Sequence, residues 1–199
     1  MNRAPTGGPH LHRNRAVLGA VVAIVGSYYT SKFELSTQLH IQKVQSQRDV
    51  FSRLMGRRFV TTQLYVSRYE AFIFSDYHEA RWKRSGSHVN SLDMQEAQRF
   101  MHRSEDLVFE IVKNNQALFE DLETVRALFP DTPQLRELVT RIWKFKAIKT
   151  SSPPQNATVE ELIRWKEESV RQLQTPVDHN YGEPIDNLLG YLSQQLPNE

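Results

Sequence analysis

Asp76, His78 and Glu79 are residue types that hold metal ions or move protons, and they lie side by side in the chain. On a helix, neighbouring positions point apart, so three such donors do not converge on one ion. The spacing predicts a solvated helix end. His102 and Glu105 stand one turn apart and off the apolar stripe, which predicts an exposed polar pair. His10 and His12 offer two imidazoles with no further donor, a weak ligand set for a metal. A carboxylate-bridged di-iron bundle needs Glu-x-x-His on two helices, and no Glu here has a His three residues later.

The chain has no cysteine, which removes thiol catalysis, disulfides and zinc–thiolate sites together. It has no G-x-S-x-G, no phosphate-binding P-loop, no G-x-G-x-x-G and no H-E-x-x-H. The sequence therefore names no catalytic residue, no metal ligand set and no cofactor. The net charge is +2 with 24 % charged residues, a balance that argues against a nucleic-acid partner.

Other chemistry-bearing residues have plain structural readings. Arg81, Lys83 and Arg84, with Trp82 among them, close a long helical pattern, where cations are favoured by the helix dipole. Together with Arg57 and Arg58 upstream they form the candidate face for a protein partner. Asn156-Ala-Thr158 matches a glycosylation sequon, but Thr158 also begins a capping box with Glu161. Trp143, Phe145, Trp165 and Tyr181 could line a pocket, but aromatic residues of helices belong more often to a core, and they are expected there.

These residues need helices to position them, and the pattern supplies helices throughout. Met55, Phe59, Thr62, Val66, Tyr69, Ile73, Tyr77 and Ala80 step by four and three, the period of one helical face. The stretch Ser85–Ser91 breaks the pattern, with Gly86 supplying a turn. Ser91 then caps a second helix with Asp93 in its first turn, and Phe100, Ser104, Leu107, Ile111, Leu118, Leu122, Val125 and Phe129 form its stripe. The Asn114-Asn115 pair is the one place it would break. Pro130 ends that helix; Thr132 and Pro133 open the next, Thr158 another, and Pro184 the last, with Pro176 expected to stop the fourth.

The apolar run Ala16–Ser31 lies between Arg15 and Lys32 and contains no charge. As a helix it measures roughly 24 Å at ~1.5 Å per residue, somewhat short of a ~30 Å bilayer core. Snorkelling of Arg15 and Lys32, and the interfacial preference of Tyr28 and Tyr29, offset the shortfall. A cleaved presequence fits the acid-free leader but lacks a clean A-x-A cleavage site. A buried soluble helix would need a polar face that the run does not have. We read a single-pass anchor. Ala16, Gly19, Ala23, Gly26 and Thr30 form a small-residue stripe along it, the expected packing face for a second membrane helix. Three cations precede the run (Arg3, Arg13, Arg15) and three follow (Lys32, Lys43, Arg48), so charge leaves the orientation nearly undetermined. A basic leader before a short apolar run favours the tail inside and the helical domain on the extracytoplasmic side.

The sequence thus predicts an all-α protein: a flexible basic tail over 1–14, a transmembrane anchor over 15–32, a long helical hairpin over 33–129, and three shorter helices packing on it over 130–199. The expected function is that of a non-enzymatic, single-pass, membrane-anchored scaffold or assembly subunit. It would bind a protein partner, or a second copy, through the membrane helix and the long helix. The alternative is a ligand-sensing bundle that signals through a partner, with its ligand near Tyr65, Tyr69 or Trp143. An enzyme with an unrecognised site is a third reading.

Overall fold

The structure, a computed structural model, describes residues 10–86 and 91–197, with side chains described from residue 25 onward. It is an all-helical bundle, with no strand among the described residues. In chain order the elements are α1 (His10–Arg84), α2 (Leu92–Leu128), α3 (Pro133–Trp143), α4 (Val159–Val177), a π-helical turn (Asp178–Gly182) and α5 (Glu183–Gln195). The chain divides into two compact units, Met1–Gln45 and Ser46–Glu199. Helix α1 begins at His10, inside the stretch read from the sequence as a tail; residues 1–9 lie outside the described residues.

The caps form where the residue types demand. Ser91 Oγ accepts the Met94 N–H, and Thr132 Oγ1 accepts the Leu135 N–H at 3.1 Å, with Pro133 at the first helical position. Thr158 and Glu161 close a reciprocal capping box, the Thr158 N–H donating to Glu161 Oε2 at 2.6 Å and the Glu161 N–H to Thr158 Oγ1 at 3.2 Å. Those donors favour the charged carboxylate and hold Glu161 below its ordinary pKa. Asn114 and Asn115 do not break α2. Asn114 Nδ2 donates to Thr61 Oγ1 at 2.8 Å and Asn115 Nδ2 to Tyr65 Oη at 3.2 Å, so both amides are used across the α1–α2 seam.

That seam repeats every seven residues. Gln47, Leu54, Thr61, Arg68 and Ser75 of α1 are buried or half-buried, as are Ala97, Ser104, Ile111, Leu118 and Val125 of α2. Polar bonds punctuate it. Gln47 Nε2 donates to the Leu128 carbonyl at 2.9 Å, Arg53 Nε to Asp121 Oδ1 at 2.6 Å, and Ser75 Oγ to the Ala97 carbonyl at 3.0 Å. Leu54, Leu118 and Val125 of the seam join Leu122, Ile142, Ile185 and Leu188 in an aliphatic core. Each such side chain contributes ~1.5–3 kcal/mol on burial.

Three sequence expectations are corrected. Met55 and Phe59 belong to the predicted stripe but are 45 % and 68 % exposed; Val50 and Leu54, a turn earlier, face α2 instead. Trp143, expected in a core, is 47 % exposed, because it stands at the last position of α3, where Phe119 of α2 meets its ring edge-on. Pro176 does not stop α4. Pro176 lacks the N–H that would bond the carbonyl four residues back, yet the helical path continues: the Asp178 N–H reaches the Gln174 and Thr175 carbonyls, and a wide turn follows in which the Glu183 N–H reaches Asp178 O. Asn180 Nδ2 satisfies the Pro176 carbonyl at 2.8 Å. The turn keeps Leu173, Val177, Tyr181 and Ile185, spaced by four, all buried. A Cβ at Gly182 would stand 2.9 Å from Asp178 Oδ1 and 3.2 Å from Arg58 Nη2, so a larger residue would displace this ion pair.

Candidate functional site

The cations proposed as a contact face are engaged within the chain. Arg57 Nε lies 3.5 Å from Asp121 Oδ2, and Arg58 Nη2 lies 2.9 Å from Asp186 and 3.3 Å from Asp178. The Arg58–Asp186 hydrogen bond, with the two nearby carboxylates, raises the Arg58 pKa despite some desolvation. Arg58 therefore ties α1 to the π-helical turn and to α5. At the end of α1, Arg81 pairs with Asp93 at 3.5 Å, Lys83 with Glu79 at 2.5 Å, and Arg84 donates to the Ala157 carbonyl. Trp82 is half-buried beside them. Lys83 is exposed, and its ammonium is held by its own helix.

Asp76, His78 and Glu79 are not brought together. His78 Nδ1 meets Asp93 Oδ1 at 3.0 Å, while Asp76 and Glu79 line a cavity of about 650 Å³ between the end of α1 and residues 152–157. Burial, then the Glu79 charge, pushes the Asp76 carboxyl above its ordinary value, against the pull of Lys83. Among the described residues no group of three or more His, Cys, Asp or Glu stands close enough to hold a metal ion. His102 and Glu105 form an exposed pair at 3.2 Å. The side chains of His10 and His12 lie outside the described residues. Asn156 takes a left-handed φ of 57°, which its short amide tolerates, and Thr158 serves as the cap of α4.

The aromatic residues separate into two groups. Tyr181 is buried, stacked on Tyr65 at 3.6 Å between ring centroids, and meets the edge of Phe145 at 5.1 Å. Its hydroxyl donates to the Lys146 carbonyl at 2.9 Å, and the Ile148 N–H donates to Tyr69 Oη at 2.9 Å. Burial and the neighbouring Tyr69 raise the Tyr181 phenol well above its ordinary pKa. These hydroxyls pin residues 146–148 and are already committed to backbone partners. Trp165 bonds Ser151 Oγ at 3.1 Å. Trp143 stands apart, 47 % exposed at the end of α3, edge-on to Phe119 of α2 at 6.1 Å.

Trp143 and Phe119 wall a groove of about 960 Å³ between α2 and α3, with Val112, Gln116, Glu120 and Glu123. The sequence reading passed over this surface. Its signal was present: Phe109, Val112 and Phe119 recur at spacings of three and seven, on a side of α2 away from its main stripe.

A second exposed apolar surface lies on α1 within the first unit. Tyr28, Tyr29, Phe33, Leu35, Leu39 and Ile41 are all exposed, Phe33 at 73 %. The small-residue stripe enters this stretch only at Gly26, around which a Cβ would meet nothing within 4 Å, and Thr30, whose hydroxyl donates to the Gly26 carbonyl at 2.9 Å. The side chains of Ala16 and Ala23, and the position of Gly19, lie outside the described side chains. Among the described residues no helix is long and apolar enough to cross a membrane.

No family model matches the chain, and no curated protein or solved structure matches it either.

Proposed function

We propose that the protein is a non-enzymatic scaffold or assembly subunit that works by helix–helix contact and is held at a membrane by residues 15–32. The observation that carries the reading is the exposed set Tyr28, Tyr29, Phe33, Leu35, Leu39 and Ile41. Six large apolar side chains on one stretch of helix gain ~1.5–3 kcal/mol each when covered, and runs of this kind mark contact sites. Membrane attachment rests on sequence: the uncharged run between Arg15 and Lys32, the acid-free leader, and tyrosines at its boundary. The weak preference for an extracytoplasmic helical domain rests on the same leader. The ligand-sensing reading loses support at Tyr65 and Tyr69, whose hydroxyls bond Asn115 and Ile148.

Site-specific photo-crosslinking from each position of residues 28–45 in native membranes tests the scaffold reading. Docking against a helix gives protein adducts that recur with the ~3.6-residue helical period. Adducts to lipid alone, or none, sink it. Alkaline extraction of the same membranes tests the anchor separately: release of the chain removes the membrane from the proposal.

A further inference from the structure

We infer that the groove between α2 and α3 is a docking site for a cationic amphipathic helix of a partner protein. The inference builds on the scaffold reading but concerns a different surface. Phe119 and Trp143 meet edge to face at 6.1 Å and form one wall, and Val112 extends the floor along α2. All three are exposed, as is Phe109 one turn beyond Val112. The volume, about 960 Å³, sits at the upper end of the ~300–1,000 Å³ typical of ligand sites, but the groove is open along a helix rather than enclosed. Apolar positions at helical spacing beside an aromatic wall suit side chains presented at i, i+3, i+4 and i+7 of a docking helix.

Charge selects the occupant. Glu120 and Glu123 are the ionisable side chains that line the groove. Glu120 Oε1 accepts from the neutral Gln116 amide at 3.2 Å. Arg126 is a nearby cation: it pairs with Glu123 at 3.1 Å and lies over the Trp143 ring at 6.0 Å, and Lys144 follows Trp143 at the end of α3. Farther along α2, Lys113 is paired with Glu110. A second copy placed groove to groove would bring the Glu120 and Glu123 pairs together, and an anionic lipid surface would meet the same carboxylates. A helix with Lys or Arg flanking its apolar face meets them favourably.

The test uses the full chain in zwitterionic lipid nanodiscs and two synthetic 18-residue helices with one leucine pattern, one carrying lysine and the other glutamate on the polar face. Binding is read by calorimetry and tryptophan fluorescence, with binding to empty discs subtracted. The lysine helix is expected to bind and the glutamate helix to bind at least about tenfold more weakly, a gap that narrows in salt. Phe119→Ser and Val112→Ser are expected to weaken the lysine helix about tenfold. Glu120→Lys with Glu123→Lys, both exposed and so expected to fold, is expected to reverse the preference. Equal binding of both helices, no binding, or affinity unchanged in Phe119→Ser overturns the proposal. So does self-association, or attachment to anionic vesicles, that Phe119→Ser abolishes, because the occupant would then be a second copy or a lipid surface. Periodic crosslinks from residues 28–45 would survive any of these outcomes, so the two ideas fail separately.

Discussion

Around Leu54, Leu118 and Leu122 the bundle is closed by aliphatic side chains, whereas around Tyr65, Tyr69 and Tyr181 it is closed by rings whose hydroxyls reach polar partners. Aliphatic packing is non-directional: it sets volume and leaves small shifts of shape tolerable. The tyrosine region is directional. Two of its hydroxyls hold the backbone of residues 146–148, a segment with no helix of its own. Stability and placement are therefore divided between the two regions, and substitutions should show the division.

Leu122→Ala at the aliphatic end should cost most, about 2–5 kcal/mol, because it opens a cavity in a fully buried site. Urea unfolding measures it, and a loss below about 1 kcal/mol would mean that this end is loosely packed. Tyr69→Phe should cost about 1–3 kcal/mol by leaving the Ile148 N–H without its acceptor. The comparison sharpens if amide exchange at Ile148 accelerates more than exchange around Leu122. Thr158→Ala, at the start of α4, should cost about 0.5–2 kcal/mol. Glu161 is held below its ordinary pKa by the same box, so its contribution is present above that ordinary value and is lost as pH falls through the lowered one. The first donor to that carboxylate is the Thr158 backbone N–H, which Thr158→Ala keeps, so most of this acid-sensitive contribution should persist in the variant. The smallest effect is a gain. The Asp76 carboxyl is raised in the folded chain, so its charge opposes folding above that raised value and ceases to do so as pH drops below the ordinary one. Asp76→Asn should stabilise by at most about 0.5 kcal/mol at neutral pH and by nothing in strong acid.

The caps and the α2 stripe were readable because they depend on local chemistry: a hydroxyl before a helix, a carboxylate three residues later, an apolar residue every third or fourth place. Ser91, Thr132, Thr158 and the run from Ser104 to Phe129 all stand where the sequence put them. Met55 and Phe59 misled because their spacing is helical while their exposure depends on which neighbours reach that side of α1. Pro176 misled because the chain runs past the one missing bond and into a π-helical turn, and nothing local announces that turn. The ion pairs of Arg57 and Arg58 join residues distant in the chain, such as Asp121 and Asp186, and no spacing rule connects them. The groove beside Trp143 was hidden for the same reason, since it forms where Trp143 of α3 meets Phe119 of α2.

The seven-residue repeat of the α1–α2 seam limits how this chain can change its length. One residue inserted into α2 ahead of Asn114 would rotate the helix on one side of it by about 100° and part either Ala97 from Ser75, or both Asn114 from Thr61 and Asp121 from Arg53. Lengthening is neutral only when both helices gain a full repeat at matching heights. In a family built on this plan, arm lengths would differ by sevens, and in pairs.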